Sequence, residues 1–158
     1  MFFSRKPTES KRWRLIAVGV IVLLALGFKA YYLYWPKTII NVAGQELEVY
    51  LARNYNHRYQ GLSDREGLAG KDGMLFVFPY RGEHVMVMRK MKFPIDIVWV
   101  DNGQIVDIAP GVAPEPGRAE ADLTPYFSRA PSNWVLELKA GLSNELGFKI
   151  GDKVELAK

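Results

Sequence analysis

The chain has 158 residues, with 21 Lys and Arg against 17 Asp and Glu, 49% hydrophobic residues and no cysteine. An ordinary charged fraction of 24% excludes a low-complexity or disordered chain. The missing cysteines exclude disulfides, Cys-based zinc sites and Cys nucleophiles.

The formal charge of +4 is unevenly spread. Residues 1–36 hold six basic residues and one acid, whereas residues 37–158 hold 15 basic and 16 acidic residues with the signs interspersed. The larger part therefore carries no nucleic-acid footprint.

Residues 1–14 form a basic N-terminus and residues 15–28 read LIAVGVIVLLALGF without a charge. After Lys29 the apolar run resumes to Trp35, so residues 15–35 as a helix span about 31 Å at ~1.5 Å per residue. Lys29 can snorkel outward, and Tyr31, Tyr32, Tyr34 and Trp35 have the composition of an interfacial belt. The flanking basic residues place the N-terminus in the cytoplasm and residues 37–158 outside it. The competing reading is a cleaved signal peptide ending near Ala25-Leu26-Gly27. Both readings export residues 37–158.

In the exported part, residues 38–42 and 46–52 are strand runs about a turn at Ala43-Gly44-Gln45. Residues 54–62 predict a short helix capped by Asn54. Residues 74–78 and 85–88 are further strand candidates. Residues 95–101 and 104–109 flank Asn102-Gly103, the pair favoured by a type I′ hairpin turn. A Pro-rich segment over residues 110–132 is long enough to suggest a functional loop. Residues 134–138 and 153–156 are strands and residues 143–147 a helical turn. The expected fold is all-β (mainly β): a small β-sandwich or partly closed barrel with one or two short helices, preceded by one transmembrane helix.

Five blocks carry a family likeness: RYQGLSDREGLAGKDGMLFVFP (58–79), MVMRKMKFPIDIVWVDNGQIVDI (86–108), APEPG (113–117), WVLELKAG (134–141) and GDKVEL (151–156). In this order they resemble the domain of unknown function 192 family over nearly all of residues 38–156. The resemblance implies a small exported or membrane-attached β domain of prokaryotes with no established activity. The family's usual second block is close to FWMKGMRFPIDIVWID. This chain departs from it with Val87 in place of Trp, Arg89 in place of Lys, and Lys90 in place of Asn or Gly.

Asp96 and Glu137 each interrupt an apolar strand. Period-2 geometry allows either to face solvent, and a buried carboxylate calls for a partner such as Arg58, Arg65 or Arg89. Arg89, Lys90 and Lys92 read as a charged edge strand or as an anion contact through Arg89. Met74, Met86, Met88 and Met91 suit core filling or an adaptable groove. Tyr126 and Phe127 in the long loop are candidates to line a cleft. The candidate ligand-binding residues are Arg58, Arg65, Met88, Arg89, Asp96, Tyr126 and Glu137. No catalytic residue, metal-ligand set or cofactor is identified.

The chain thus reads as a module of the inner membrane, its domain on the periplasmic side, non-catalytic, with a binding or envelope-structural role. Its expected partners are the inner membrane through residues 15–35 and a small molecule or envelope protein. Two alternatives stay open. One is an accessory subunit of a membrane complex; the other is an enzyme using Asp96 and Glu137 with Arg58, Arg65 and Arg89.

Overall fold

The computed structural model describes residues 8–157. Arg5 and Lys6 of the basic N-terminus, and the side chains of Tyr31 and Tyr32, lie outside the described residues. The chain divides into two units, Met1–Tyr34 and Trp35–Lys158.

The first unit contains one helix, α1 (Thr8–Leu33). It begins seven residues before the expected span and stops two residues short of its end. Among the described residues no helix is long and apolar enough to cross a membrane. Of the side chains described in it, those of residues 11–29, Lys11, Arg12, Arg14 and Lys29 are charged, and the 14 uncharged residues 15–28 lie between them.

The second unit is mainly β. Its elements are β1 (Lys37–Val42), β2 (Gln45–Ala52), α2 (Tyr55–Gln60), β3 (Gly73–Gly82), β4 (Ile95–Asp101), β5 (Gln104–Val112), β6 (Ser132–Lys139), α3 (Leu142–Glu145) and β7 (Val154–Leu156). All seven strands join one sheet in the order β5-β4-β6-β3-β2-β1-β7. Its two edges approach at one corner. Gln104 bridges Lys153, the Ile105 amide donates to the Asp152 carbonyl at 2.9 Å, and the Val154 amide donates to the Gly103 carbonyl at 2.8 Å. The result is a half-barrel rather than a sandwich of two sheets.

Local chemistry explains the connections. Asn102 and Gly103 adopt φ of 47° and 75°, the positive pair that the β4–β5 hairpin requires. The β2–β3 pair is parallel, so the chain must cross over, and α2 lies in that crossover. Asn54 caps α2 by accepting the His57 amide at 2.8 Å.

Both faces of the sheet are covered. The concave face packs Ile40, Val49, Leu51, Leu75, Val98, Leu136 and Leu138 with Phe148. The other face packs Met74, Phe76, Ile97, Trp99 and Val135 under Leu62, Met86, Met88 and Met91. β4 is consequently buried from Ile95 through Val100, with no solvent side.

Two expectations are corrected. Residues 85–88 do not form a strand, since only Met86 makes a bridge, with Tyr126. Arg89 and Lys90 lie in a turn, not on a charged edge strand. Lys90 takes φ of 49°, a left-handed conformation suited to the Asn or Gly of the resembled family's usual block.

Candidate functional site

Three pieces of chain meet to form a cleft of about 370 Å³. The first is α2, which places Tyr55, Arg58 and Tyr59 on one face by their i, i+3, i+4 spacing. The second is β3, where alternate residues Phe76, Phe78 and Tyr80 project to the same side. The third is the methionine-rich segment, which supplies Val85, Met86, Val87, Arg89 and Met91. Tyr55, Tyr59, Tyr80 and Val85 are exposed at the mouth, whereas Phe76, Met86 and Met91 are buried.

Glu137 is among the lining residues. It stands on β6 opposite Met74 of β3 and Ile97 of β4, so its side chain shares their apolar face. It is 5% exposed, and its Oε2 is buried without a hydrogen-bond partner. Burial pushes the carboxyl up to about 8, so it holds its proton at neutral pH. The acid that β6 contributes to the lining is therefore a carboxylic acid with an O–H to donate.

Arg58 reaches β3 from α2. Its Nη1 donates to the Val77 carbonyl at 3.2 Å and to the Arg53 carbonyl, and its guanidinium lies 5.6 Å from the Phe78 ring centre. Among the described residues its ion pairs include no carboxylate. Val77 lies three residues along β3 from Met74, the partner of Glu137, so Arg58 and Glu137 mark positions about 10 Å apart along the strand.

Arg89 is fixed from three sides. Its Nη1 donates to the Tyr59 carbonyl at 2.8 Å, its Nε to Glu120 at 2.8 Å, and its guanidinium stacks 4.2 Å over the Tyr59 ring. Ser63 Oγ donates to the Arg89 carbonyl at 2.8 Å and ties this turn to the segment after α2.

The other candidates lie apart from this cleft. Asp96 is fully buried on the concave face, where it accepts from the amides of Gly111, Gly141 and Ser143 and from Ser143 Oγ, at 2.7–3.0 Å. Burial alone would raise its pKa, but these donors prevail and hold it below the usual carboxylate range. Asp96 thus fastens the β5 end and the β6–α3 turn to β4. The expected pairing of Asp96 or Glu137 with an arginine is not formed among the described residues. The two acids also do not meet: Asp96 is registered with Leu138 and Ile97 with Glu137, which puts them on opposite faces.

Arg65 is sandwiched against the rings of Trp35 and Tyr50, at 4.6 and 4.4 Å. Met88 is 1% exposed and belongs to the core. Tyr126 exchanges backbone hydrogen bonds with Met86 at 2.8 and 3.0 Å, and neither it nor Phe127 lines the cleft. The long loop therefore braces the cleft wall, through Tyr126 and Glu120, without lining it. Asp107 anchors the loop's far end by accepting from Arg129, including its amide at 2.8 Å. Among the described residues no three His, Asp or Glu side chains gather as a metal site.

Sequence reasoning overlooked the aromatic mouth. The readable signals were the Tyr55, Arg58, Tyr59 helical face and the Phe76, Phe78, Tyr80 alternation.

The model of the family DUF192, described as an uncharacterized ACR, matches residues 38–156. A crystal structure from Sinorhizobium meliloti, described as a "putative transcription regulator", is 31% identical with a TM-score of 0.69. That match covers 78% of this chain and 96% of the other. A protein of unknown function from Novosphingobium aromaticivorans is also 31% identical, with a TM-score of 0.65, over 75% of this chain and 84% of its own. No curated protein matches the chain.

Proposed function

The chain belongs to the domain of unknown function 192 family, and on that premise we propose that its β domain is a non-catalytic module that binds a small molecule in the α2–β3 cleft. The observation that carries this reading is Glu137. An unpartnered carboxyl in an apolar wall reduces stability, and a hydrogen bond to a ligand would offset that. The surroundings agree with it. The walls combine aromatic and apolar side chains with Arg58, Gln60, Ser63, Arg89 and Glu137, and the volume falls in the usual range of ligand sites, ~300–1,000 Å³. A paired-carboxylate enzyme has less support, because Asp96 and Glu137 occupy different faces.

We infer that α1 holds the module at the inner membrane with the domain outside the cytoplasm. The support is in the sequence: a charge-free core that is apolar all round, basic residues before it, and Lys29 able to snorkel. A C-terminal reporter active only outside the cytoplasm would agree. One active only inside would refute the placement.

The binding reading is tested by NMR titration of the full chain in nanodiscs with a mixture of small aromatic fragments. Shifts should cluster at Tyr55, Tyr59, Tyr80 and Met86 and vanish in Val85→Trp, which fills the mouth. Shifts scattered over the sheet, or unchanged in the variant, would refute it.

A further inference from the structure

We infer that the cleft takes an organic anion with an apolar body, its acid group at Arg58 and its body against Phe76, Met86 and Met91. This rests on the proposed binding role of the cleft and names the ligand class.

Arg58 is half-buried, packed on Phe78, and linked to two backbone carbonyls. Carbonyl oxygens satisfy N–H groups without cancelling a full charge. The cleft's other lining cation differs, since Arg89 faces Glu120 within ion-pair distance, as Lys71, Arg81, Lys92, Arg118 and Arg129 face carboxylates elsewhere in the domain. Arg65 also lacks one, but its guanidinium is covered by Trp35 and Tyr50 and is outside the cleft. Arg58 is thus the cleft-lining cation left with charge to neutralise, and a planar guanidinium suits a carboxylate or phosphoryl group.

The rest of the cleft defines the body of the ligand. Phe76, Met86 and Met91 offer no hydrogen bonds, and methionines adapt to irregular apolar shapes. Glu137, about 10 Å along the strand, offers its O–H to an acceptor at the ligand's far end. A neutral acid there does not repel an anion, as a carboxylate would.

The test uses the full chain in nanodiscs and calorimetry with 4-phenylbutyrate, its neutral amide, phenylbutyl phosphate and inorganic phosphate. The wild type should bind the anionic probes at least about tenfold tighter than the amide, the scale of a charge-assisted contact. Arg58→Gln should abolish that preference while leaving amide binding in place. Arg58→Lys should retain most of it, which separates charge from the helix-to-strand link. Thermal melts of each variant establish that it is folded.

A preference for the phosphate over the carboxylate supports the inference and points to a phosphoryl source; the reverse preference points to carboxylic acids. Equal binding of the amide and the anions, or a preference that survives in Arg58→Gln, overturns the anion assignment but leaves the binding cleft standing. Inorganic phosphate binding as tightly as phenylbutyl phosphate overturns the apolar body. Binding of none of the probes overturns the ligand class, and the NMR titration with aromatic fragments then decides whether the cleft binds at all.

Discussion

Glu137→Gln removes one proton site and keeps almost the same shape in the cleft wall. The wild-type carboxyl is raised from 4.5 to about 8 by burial. The folded chain therefore keeps a proton that the unfolded chain releases, and stability falls as pH rises between these values. Each pH unit is worth about 1.4 kcal/mol, so the full penalty is about 5 kcal/mol and is complete above pH ~8. Below pH ~4.5 the acid is protonated in both states and the penalty is absent. Glutamine carries no such penalty at any pH. Relative to its value at pH 4.5, the advantage of the variant should grow by about 3 kcal/mol at pH 7 and about 4 kcal/mol at pH 9. Urea unfolding of both chains at pH 4.5, 6, 7.5 and 9 measures this directly, because all other titrating groups are shared. Parallel stability curves would mean that Glu137 titrates as an ordinary carboxylate, and the reasoning about the cleft's acid would fail.

Further outcomes rest on the same packing. Asp96→Ala should destabilise the domain by about 3 kcal/mol or more in denaturant titration, since it strands amide donors of Gly111, Gly141 and Ser143; a loss under ~1 kcal/mol would contradict the stapling role. The stability that Asp96 contributes is present at neutral pH and is lost as pH falls through its lowered pKa. Gly73→Ala should lower the melting temperature sharply, because a Cβ there would sit 2.0 Å from the Glu137 carbonyl oxygen; an unchanged melt would show that β3 and β6 can separate freely. Lys90→Asn should stabilise by about 0.5–1 kcal/mol by relieving the left-handed backbone, with only an exposed ion pair to Asp64 at 3.8 Å lost; a destabilised variant would place the strain elsewhere.

Much of the fold was legible from local chemistry. Asn102-Gly103 marks a turn by its backbone preference, and Asn54 marks a helix start by its side chain. The β2–α2–β3 crossover and the approach of β7 to β5 were not legible, because both depend on pairings between distant strands. The two acids show the same limit at the site. Glu137 and Asp96 look alike in sequence, each an acid flanked by aliphatic residues. Alternation assigns such a residue to the solvent side only when a strand has one. Here both faces are covered, and the neighbouring elements decide the outcome. Asp96 meets three amides and a hydroxyl and stays ionised, whereas Glu137 meets Met74 and Ile97 and becomes neutral. Burial likewise sorted the methionines, and ring stacking withdrew Arg65 from the cleft.

The central claim is that the cleft walled by Arg58, Glu137 and the aromatic mouth holds a small molecule. Native mass spectrometry of the full chain taken directly from membranes tests it most directly. The wild type should carry a reproducible small-molecule adduct that is missing from Val85→Trp. Identical spectra of the two chains, with or without adducts, would contradict the claim.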